Sequence, residues 1–321
     1  LVKEPHLAQR MADMGGRVAL SFDSFEREAD YALQGAHLVD LKMQCLDLLE
    51  RLEVDTTLIP VMTRGYNDHE LGRIIELGLA RSNVRHVEVH TITYTGQGGT
   101  TFDPERTGRI SMVEVLDEIA SQTQGLLRRE DFVPSPCAHP LCYQIAYLLI
   151  DPEGGPPIPF TRFMSREELY GCLSDHLYLE PSPRLEQALQ GAINELWTED
   201  DDESQRALRC LNALLRSMFP ATPISRAAAL RVGELASKAI YVHSHMDEET
   251  FDVERAIQCC DSNCYPDGST IPVCNSNVLF RSRNPKFVTS PQPWHARTGG
   301  RTGALEERPG RLLPLAGGIA T

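Results

Sequence analysis

The chain has 321 residues, of which 41% are hydrophobic and 24% are charged, a composition typical of a soluble globular protein with one large domain or two ordinary ones. Its formal net charge of −14 opposes contact with polyanions, so general nucleic-acid binding is not expected. No apolar run approaches the roughly 18 to 20 residues that cross a bilayer, so no membrane span is predicted.

The amino-terminal stretch LVKEPHLAQRMADMGG has the pattern of an amphipathic helix and lacks the features of a secretory or transit peptide. Because the first residue is Leu1, we expect the sequence to begin inside a longer gene product. The nine cysteines are an odd number, and clustered cysteines in a reducing cytosol indicate metal or redox chemistry more often than disulfides. A cytoplasmic protein is therefore predicted.

Strands and helices alternate along the first third of the chain. Strands are predicted over 17–23, 55–62 and 85–92. A helical pattern follows each strand, and two of these helices begin at the capping-box spacings of Asn67 and Ser111. Strands separated by helices imply parallel pairing through right-handed crossovers. Three such units cannot close a barrel, so they form either an open sheet or part of a larger one.

The alternation of strand and helix patterns ends after the third unit. A turn-rich connector, DPEGGPPIP, precedes a helical pattern that extends from Ser165 to about residue 246. We divide the chain into β/α units over 1–130, a cysteine-containing loop and connector over 131–160, a helical region over 161–246, a second cysteine-containing segment over 247–282, and a tail over 283–321 that is expected to be disordered.

Six of the cysteines fall in two short irregular segments. Cys137 and Cys142 lie in PSPCAHPLCY, where three prolines exclude a regular helix or a central strand. The second segment, QCCDSNCYPDGSTIPVCNSN, contains Cys259, Cys260, Cys264 and Cys274. All-thiolate ligation suits zinc or an iron–sulfur cluster, and the absence of C-x2-C pairs favours iron–sulfur while leaving zinc open. His139, between the first two cysteines, is either a ligand or a residue that caps the loop.

The remaining cysteines and two further histidines have simpler interpretations. Cys45, Cys172 and Cys210 lie singly on helical patterns and are expected to be small buried side chains. His243 and His245 are two residues apart in a predicted helix, a spacing that does not place both on one face. We therefore expect them to be surface residues.

Polar residues follow the first two predicted strands. Ser21 and Asp23 end the first strand, and Arg64 and Asn67 follow the second. Ligands of parallel α/β sheets bind outside the carboxyl ends of the strands, so these residues are candidates for ligand contact. Capping of a helix or turn is the alternative for Asp23 and Asn67. Phosphate-loop, dinucleotide-binding and serine-hydrolase motifs do not occur, and the glycine loop GQGG at 96–99 is weak evidence alone.

Several of these segments together resemble the radical SAM superfamily, whose core is a partial (β/α)6 barrel. RVALSFDS and LIPVMTRGYNDHELGRIIELGL resemble the middle strands of that barrel. VRHVEVHTITYTGQGG, the segment from GRISMVEVLDEIA through PSPCAHPLCYQIAYLL, and FDVERAIQCC with PDGSTIPVCNSN are similar to class D radical SAM methyltransferases, which are hydroxymethylpterin methylase-like, and to tetraether lipid synthases. The resemblance implies an α/β fold comprising the C-terminal half of the barrel, followed by a mostly helical, cysteine-containing region.

One departure from the superfamily is large. The C-x3-C-x2-C loop that holds the catalytic [4Fe–4S] cluster is absent; Cys260 and Cys264 have the first spacing, but Asp267 occupies the third position. The resemblance implies that this loop lies upstream of Leu1. The chain by itself is then expected to be unable to cleave S-adenosylmethionine.

The resemblance also implies an activity and its cofactors. It implies a radical SAM enzyme that uses S-adenosylmethionine for methylation or C–C bond formation at an unactivated carbon, with an auxiliary [4Fe–4S] cluster. The implied cluster ligands are Cys137, Cys142, Cys274 and either Cys259 or Cys260. Ser21, Asp23, Arg64 and Asn67 would lie near S-adenosylmethionine.

The partners implied are a small-molecule or lipid substrate and a reductant protein such as ferredoxin or flavodoxin. Two alternatives remain open. One is a degenerate, non-catalytic iron–sulfur paralogue, and the other is an α/β domain with a structural zinc site.

Overall fold

The structure, a computed structural model, describes residues 1–95, 103, 105–174, 179–265 and 268–281. The expectations for GQGG at 96–99, for Asp267 and for the tail over 283–321 lie outside these ranges. The strands are β1 (Val18–Ser21), β2 (Thr56–Ile59), β3 (Val61–Met62), β4 (Val84–Thr91), β5 (Val133–Pro134), β6 (Tyr143–Leu149), β7 (Ile158–Pro159), β8 (Ser237–His243), β9 (Ser262–Cys264) and β10 (Thr270–Pro272).

The α-helices of the described residues surround these strands. They are α1 (Pro5–Asp13), α2 (Arg27–Gln34), α3 (Val39–Arg51), α4 (Leu71–Ala80), α5 (Met112–Gln122), α6 (Arg166–Cys172), α7 (Pro183–Leu196), α8 (Asp202–Met218), α9 (Arg226–Ala236), α10 (Val253–Ile257) and α11 (Val273–Asn275). Within the described ranges, every helix is too short or too polar to cross a membrane.

The central sheet has the strand order β1-β2-β4-β8-β6-β5. β1, β2, β4 and β8 run parallel, whereas β6 pairs antiparallel with β8 and β5 pairs antiparallel with β6. The short strands β3 and β7 pair with β4 and β6. The predicted α/β class and the parallel pairing of the first three units are confirmed. Closure into a partial barrel, and the division into five parts, stay predictions.

The predicted helix that runs on to about residue 246 is wrong in its last part. α9 ends at Ala236, and Ser237–His243 forms β8 in the middle of the sheet, between β4 and β6. Nearly every residue of this strand is buried, so its sequence shows a continuous apolar run rather than a clean alternation. Such a run cannot be told from a buried helix by periodicity alone, and its pairing partners are distant in the chain.

The two faces of β6 and β8 belong to two different cores. Ile240 and Val242 pack with apolar residues of α4 and α5, whereas Ala239 and Tyr241 pack with apolar residues of α6 to α9. Each fully buried aliphatic or aromatic side chain contributes about 1.5–3 kcal/mol relative to exposure. The face that carries Ala239 and Tyr241 is open to solvent at the β1 edge of the sheet, where Ser21 is exposed.

Gly78 sets how closely α4 approaches the sheet. A Cβ at this position would lie 2.3 Å from Cγ2 of Val87 on β4, so Gly78→Ala must push helix and strand apart. We expect a loss of about 1–3 kcal/mol of unfolding free energy, measured in urea. Gly191→Ala on α7 is the matched control, because no atom lies within 4 Å of its new Cβ and it should stabilise by about 0.5–1 kcal/mol. Equal behaviour of the two variants would contradict this packing argument.

Candidate metal centre

The loop between β5 and β6 is held by its own hydrogen bonds. The amide of Ser135 donates to the carbonyl of Tyr143 at 3.1 Å, and the amide of Cys142 donates to the carbonyl of His139 at 2.7 Å. The amide of Leu141 donates to Nδ1 of His139 at 3.2 Å. This last bond favours the capping alternative for His139. The loop thus presents its two cysteines from a backbone that is fixed at several points.

A short connection leads from β8 to the second cysteine segment. The amide of Ser244, the first residue after β8, donates to the carbonyl of Cys142 at 2.9 Å, which fixes this connection to the first cysteine loop. Asp252 caps α10 by accepting from two amides of its first turn. After the antiparallel β9–β10 pair, the amide of Val273 donates to the carbonyl of Asp261 at 3.0 Å. That bond brings the end of the hairpin back beside its beginning.

The two segments converge as the sequence predicts. Cys142, Cys259, Cys260 and Cys274 line one cavity, and Sγ of Cys137 lies 3.1 Å from Sγ of Cys260. All nine cysteines are free. Cys264, in contrast, is exposed on β9 and does not line this cavity. The residues brought together are the five that the family resemblance implies as cluster ligands, and their binding to a metal stays a prediction.

The surroundings of the sulfur atoms fit a thiolate-bound metal. Burial raises the pKa of Cys274, and burial together with neighbouring Cys137 raises the pKa of Cys260 to about 12, so without a cation these thiols stay protonated. Donors nevertheless point at sulfur. The amide of Met246 donates to Sγ of Cys274 at 3.2 Å. Nε of Arg255 donates to Sγ of Cys142 at 3.3 Å. Hydrogen bonds to sulfur are a common means of tuning such centres.

A histidine cluster lies at the edge of the same cavity. His90 is near the end of β4, His243 ends β8, and the rings of His243 and His245 lie 3.8 Å apart between centroids. Oε1 of Glu88 lies 3.1 Å from Nε2 of His90 and 3.4 Å from Nδ1 of His243, and the Tyr143 hydroxyl donates to the same oxygen. Burial opposes the charge of Glu88, but the bonds from His243 and His90 hold its pKa well below the usual range.

The expectation that His243 and His245 are surface residues is wrong for His243, whereas His245 is half-buried. His243 is only 6% exposed, because its strand is central in the sheet. Burial lowers the pKa of His243, and burial with the neighbouring His243 lowers that of His245 to about 2, so both rings are neutral near pH 7. Glu88 and His90, which the sequence analysis does not select, could have been paired from the sequence. In RHVEVHT, two-residue alternation places both side chains on one face of a strand.

Three of the four residues proposed to contact S-adenosylmethionine lie together. The hydroxyl of Ser21 donates to Oδ2 of Asp23 at 3.0 Å, and Nδ2 of Asn67 donates to the carbonyl of Asp23 at 2.7 Å. Oδ1 of Asp23 accepts from the amide of Val61 at 2.8 Å, and Nζ of Lys42 lies 3.6 Å from Oδ2. Asp23 and Asn67 are buried and bonded, which favours the turn-capping alternative, whereas Ser21 is exposed.

The fourth of these residues, Arg64, contacts a different part of the structure. Its Nη2 lies 2.6 Å from Oε1 of Glu114, and its Nε donates to the carbonyl of Arg109 at 3.1 Å. The guanidinium is about half exposed. The structure therefore joins Arg64 to the start of α5 rather than to the Asp23 network, and cofactor contact by these four residues stays a prediction.

Comparison with protein-family models finds no match for this chain. Among curated proteins, the chain is similar to 7,8-dihydro-6-hydroxymethylpterin dimethyltransferase of Methanocaldococcus jannaschii, with 25% identity over 305 aligned residues that cover 86% of this chain. The chain spans 59% of the length of that relative. This similarity to a methyltransferase extends over most of the described residues.

Proposed function

We propose that this chain is part of a radical SAM methyltransferase-like enzyme and that its converging cysteines hold an auxiliary iron–sulfur cluster. The observation that carries the proposal is the meeting of two thiol-bearing segments, in which Cys137 and Cys260 touch although they are 123 residues apart. The similarity to a curated methyltransferase and the resemblance of the cysteine segments to class D radical SAM methyltransferases support it.

The proposed ligands are Cys137, Cys142, Cys274 and one of the adjacent pair Cys259 and Cys260. Bound there, an iron–sulfur cluster supplies a redox centre or a coordination site for a substrate. The surrounding protein has its own tasks. The guanidinium of Arg255 and the amide of Met246 stabilise negative charge on sulfur, and the burial of Cys142 and Cys274 limits access of water to these two ligands.

For the whole enzyme we propose S-adenosylmethionine-dependent radical methylation of an unactivated carbon, with C–C bond formation as the second candidate. The substrate is a small molecule such as a pterin, or a lipid, and a ferredoxin- or flavodoxin-like protein supplies electrons. S-adenosylmethionine would lie at the carboxyl ends of β1 and β2, where Ser21 and Arg64 are the exposed members of the four proposed contacts.

Anaerobic reconstitution with iron and sulfide tests the cluster directly. We expect about four iron and four sulfide per chain with the broad visible absorption of a [4Fe–4S] cluster. Stoichiometric zinc with no such absorption would instead favour the structural zinc alternative. Both metals and sulfide are measured on one preparation, so that the two outcomes are read from the same protein.

A second assay separates an enzyme from a non-catalytic paralogue. The whole gene product is incubated anaerobically with dithionite, S-adenosylmethionine and 7,8-dihydro-6-hydroxymethylpterin. Formation of 5′-deoxyadenosine and of a methylated pterin is the expected result. A protein that loads iron and sulfide normally but forms neither product with this or a lipid acceptor would support the paralogue.

A further inference from the structure

His90, His243 and His245 form a cluster that the cysteine centre does not use. Each histidine offers one ring nitrogen, and these three atoms lie within 4.8 Å of one another. Two nitrogen ligands of one cation are at most about 4.2 Å apart when each bond is about 2.1 Å. A small rotation of the rings therefore brings all three nitrogens into bonding distance of a single ion.

Glu88 contacts two of these rings, as a supporting carboxylate does in many metal sites. Its Oε1 engages Nε2 of His90 and Nδ1 of His243, and these contacts hold both rings in place beside one another. Histidines that bind metals almost always donate their other ring nitrogen to a carboxylate, carbonyl or water. His90 and Glu88 lie on β4 and His243 lies on β8, and these neighbouring paired strands form a rigid support.

We propose that His90, His243 and His245 bind one divalent transition cation, such as Zn²⁺ or Fe²⁺, whose fourth position opens to the cavity that His243 and His245 line. Imidazole is a suitable ligand for these cations. Three protein ligands with one open position are typical of catalytic rather than structural sites. A cation there can bind and polarise a water molecule or one small ligand atom, since the cavity has room for about one water.

This site is separate from the cysteine centre but adjacent to it. No cysteine is among its ligands, so the proposal does not depend on the proposed iron–sulfur cluster. Sγ of Cys274 nevertheless lies 3.8 Å from Nδ1 of His245. A water or small ligand bound to the cation would therefore lie beside the thiol-lined part of the same cavity. The competing explanation for the histidine cluster is ring packing without a metal, since the ring centroids of His90 and His245 lie 5.0 Å apart in an edge-to-face contact.

Cobalt(II) binding tests the site in a full-length chain that carries Cys142→Ala and Cys274→Ala. We expect one equivalent of Co²⁺ with visible d–d bands and without thiolate charge-transfer absorption. In this background His90→Gln should weaken binding at least tenfold, and Glu88→Gln should weaken it by about 10–100-fold. His86→Gln is the matched control, because His86 lies on the same face of β4 but outside the cluster, and it should leave the affinity unchanged.

Absence of stoichiometric Co²⁺ binding would overturn the proposal, as would equal affinities of the His86→Gln and His90→Gln chains. Thermal melting shows whether each variant folds. If His90→Gln does not fold, X-ray absorption of the zinc-loaded parent decides. Nitrogen scatterers at about 2.0–2.1 Å support the site, and a sulfur shell at about 2.3 Å refutes it. Iron and sulfide counts on the chain with native cysteines report separately on the proposed function.

Discussion

Replacing either Cys142 or Cys274 with alanine is expected to reduce bound iron after reconstitution from about four atoms per chain to less than one. The two residues come from different segments, and both thiols are buried at the shared cavity. Loss of one leaves an incomplete ligand set. It also leaves Arg255 or the amide of Met246 without its sulfur acceptor. Iron, sulfide and visible absorption are measured on each variant.

Cys264→Ala is the matched control for these variants. Cys264 lies in the same segment as Cys274 but is exposed on β9, so its removal should leave the iron content unchanged. Single substitutions of Cys259 and Cys260 then identify the fourth ligand as the one whose loss lowers iron. Unchanged iron in both the Cys142→Ala and the Cys274→Ala chain would eliminate a centre built from two segments.

Asp23→Ala is expected to lower the free energy of unfolding by about 3 kcal/mol. The substitution removes a buried carboxylate that accepts from the amide of Val61 and lies against Lys42. In the Asp23→Ala chain, Lys42 keeps its ion pair with Asp30 at 3.0 Å. The expected loss of unfolding free energy is therefore near the lower end of the range for removing one partner of a buried ion pair. Urea unfolding followed by circular dichroism measures the effect.

Ser21→Ala provides the comparison, since Ser21 is exposed and its removal should change stability by less than about 0.5 kcal/mol. The pair of variants separates turn capping from ligand contact. If Asp23→Ala left stability intact but weakened binding of S-adenosylmethionine in the whole gene product, the capping interpretation would be wrong. A large loss of stability would assign Asp23 to the support of the strand ends.

The regular alternation of strands and helices made the first half of the sheet predictable. Local periodicity and caps such as Ser111 carry that information, and the structure has the capping box of Ser111 and Glu114 in place. Prolines and turn residues also made it predictable that six cysteines lie on two shaped loops. The choice of five of them as ligands came from the resemblance to radical SAM methyltransferases, and the structure adds that these five meet at one cavity.

The position of β8, the histidine cluster and the contact of Arg255 with sulfur depend on long-range contacts, which no local sequence pattern indicates. β8 enters the sheet beside β4, where Ala239 pairs with His86, and this pairing joins residues about 150 positions apart. Only that pairing places His243 next to Glu88 and brings His243 and His245, predicted to lie on a helix surface, into one cluster with His90 of the predicted strand. Arg255 likewise reaches sulfur from a short helix whose sequence gives no sign of it.

The residues that follow β8 have a consequence for local stability. The amide of Ser244 is bonded to the first cysteine loop and the amide of Met246 to the sulfur of Cys274, and His245 lies between them. The backbone of residues 244–246 therefore packs against both the cysteine cluster and the histidine cluster. Local unfolding of this backbone would expose both clusters to solvent together. The two clusters should behave as a single cooperative unit in hydrogen exchange, with the amides of Ser244 and Met246 protected or released together.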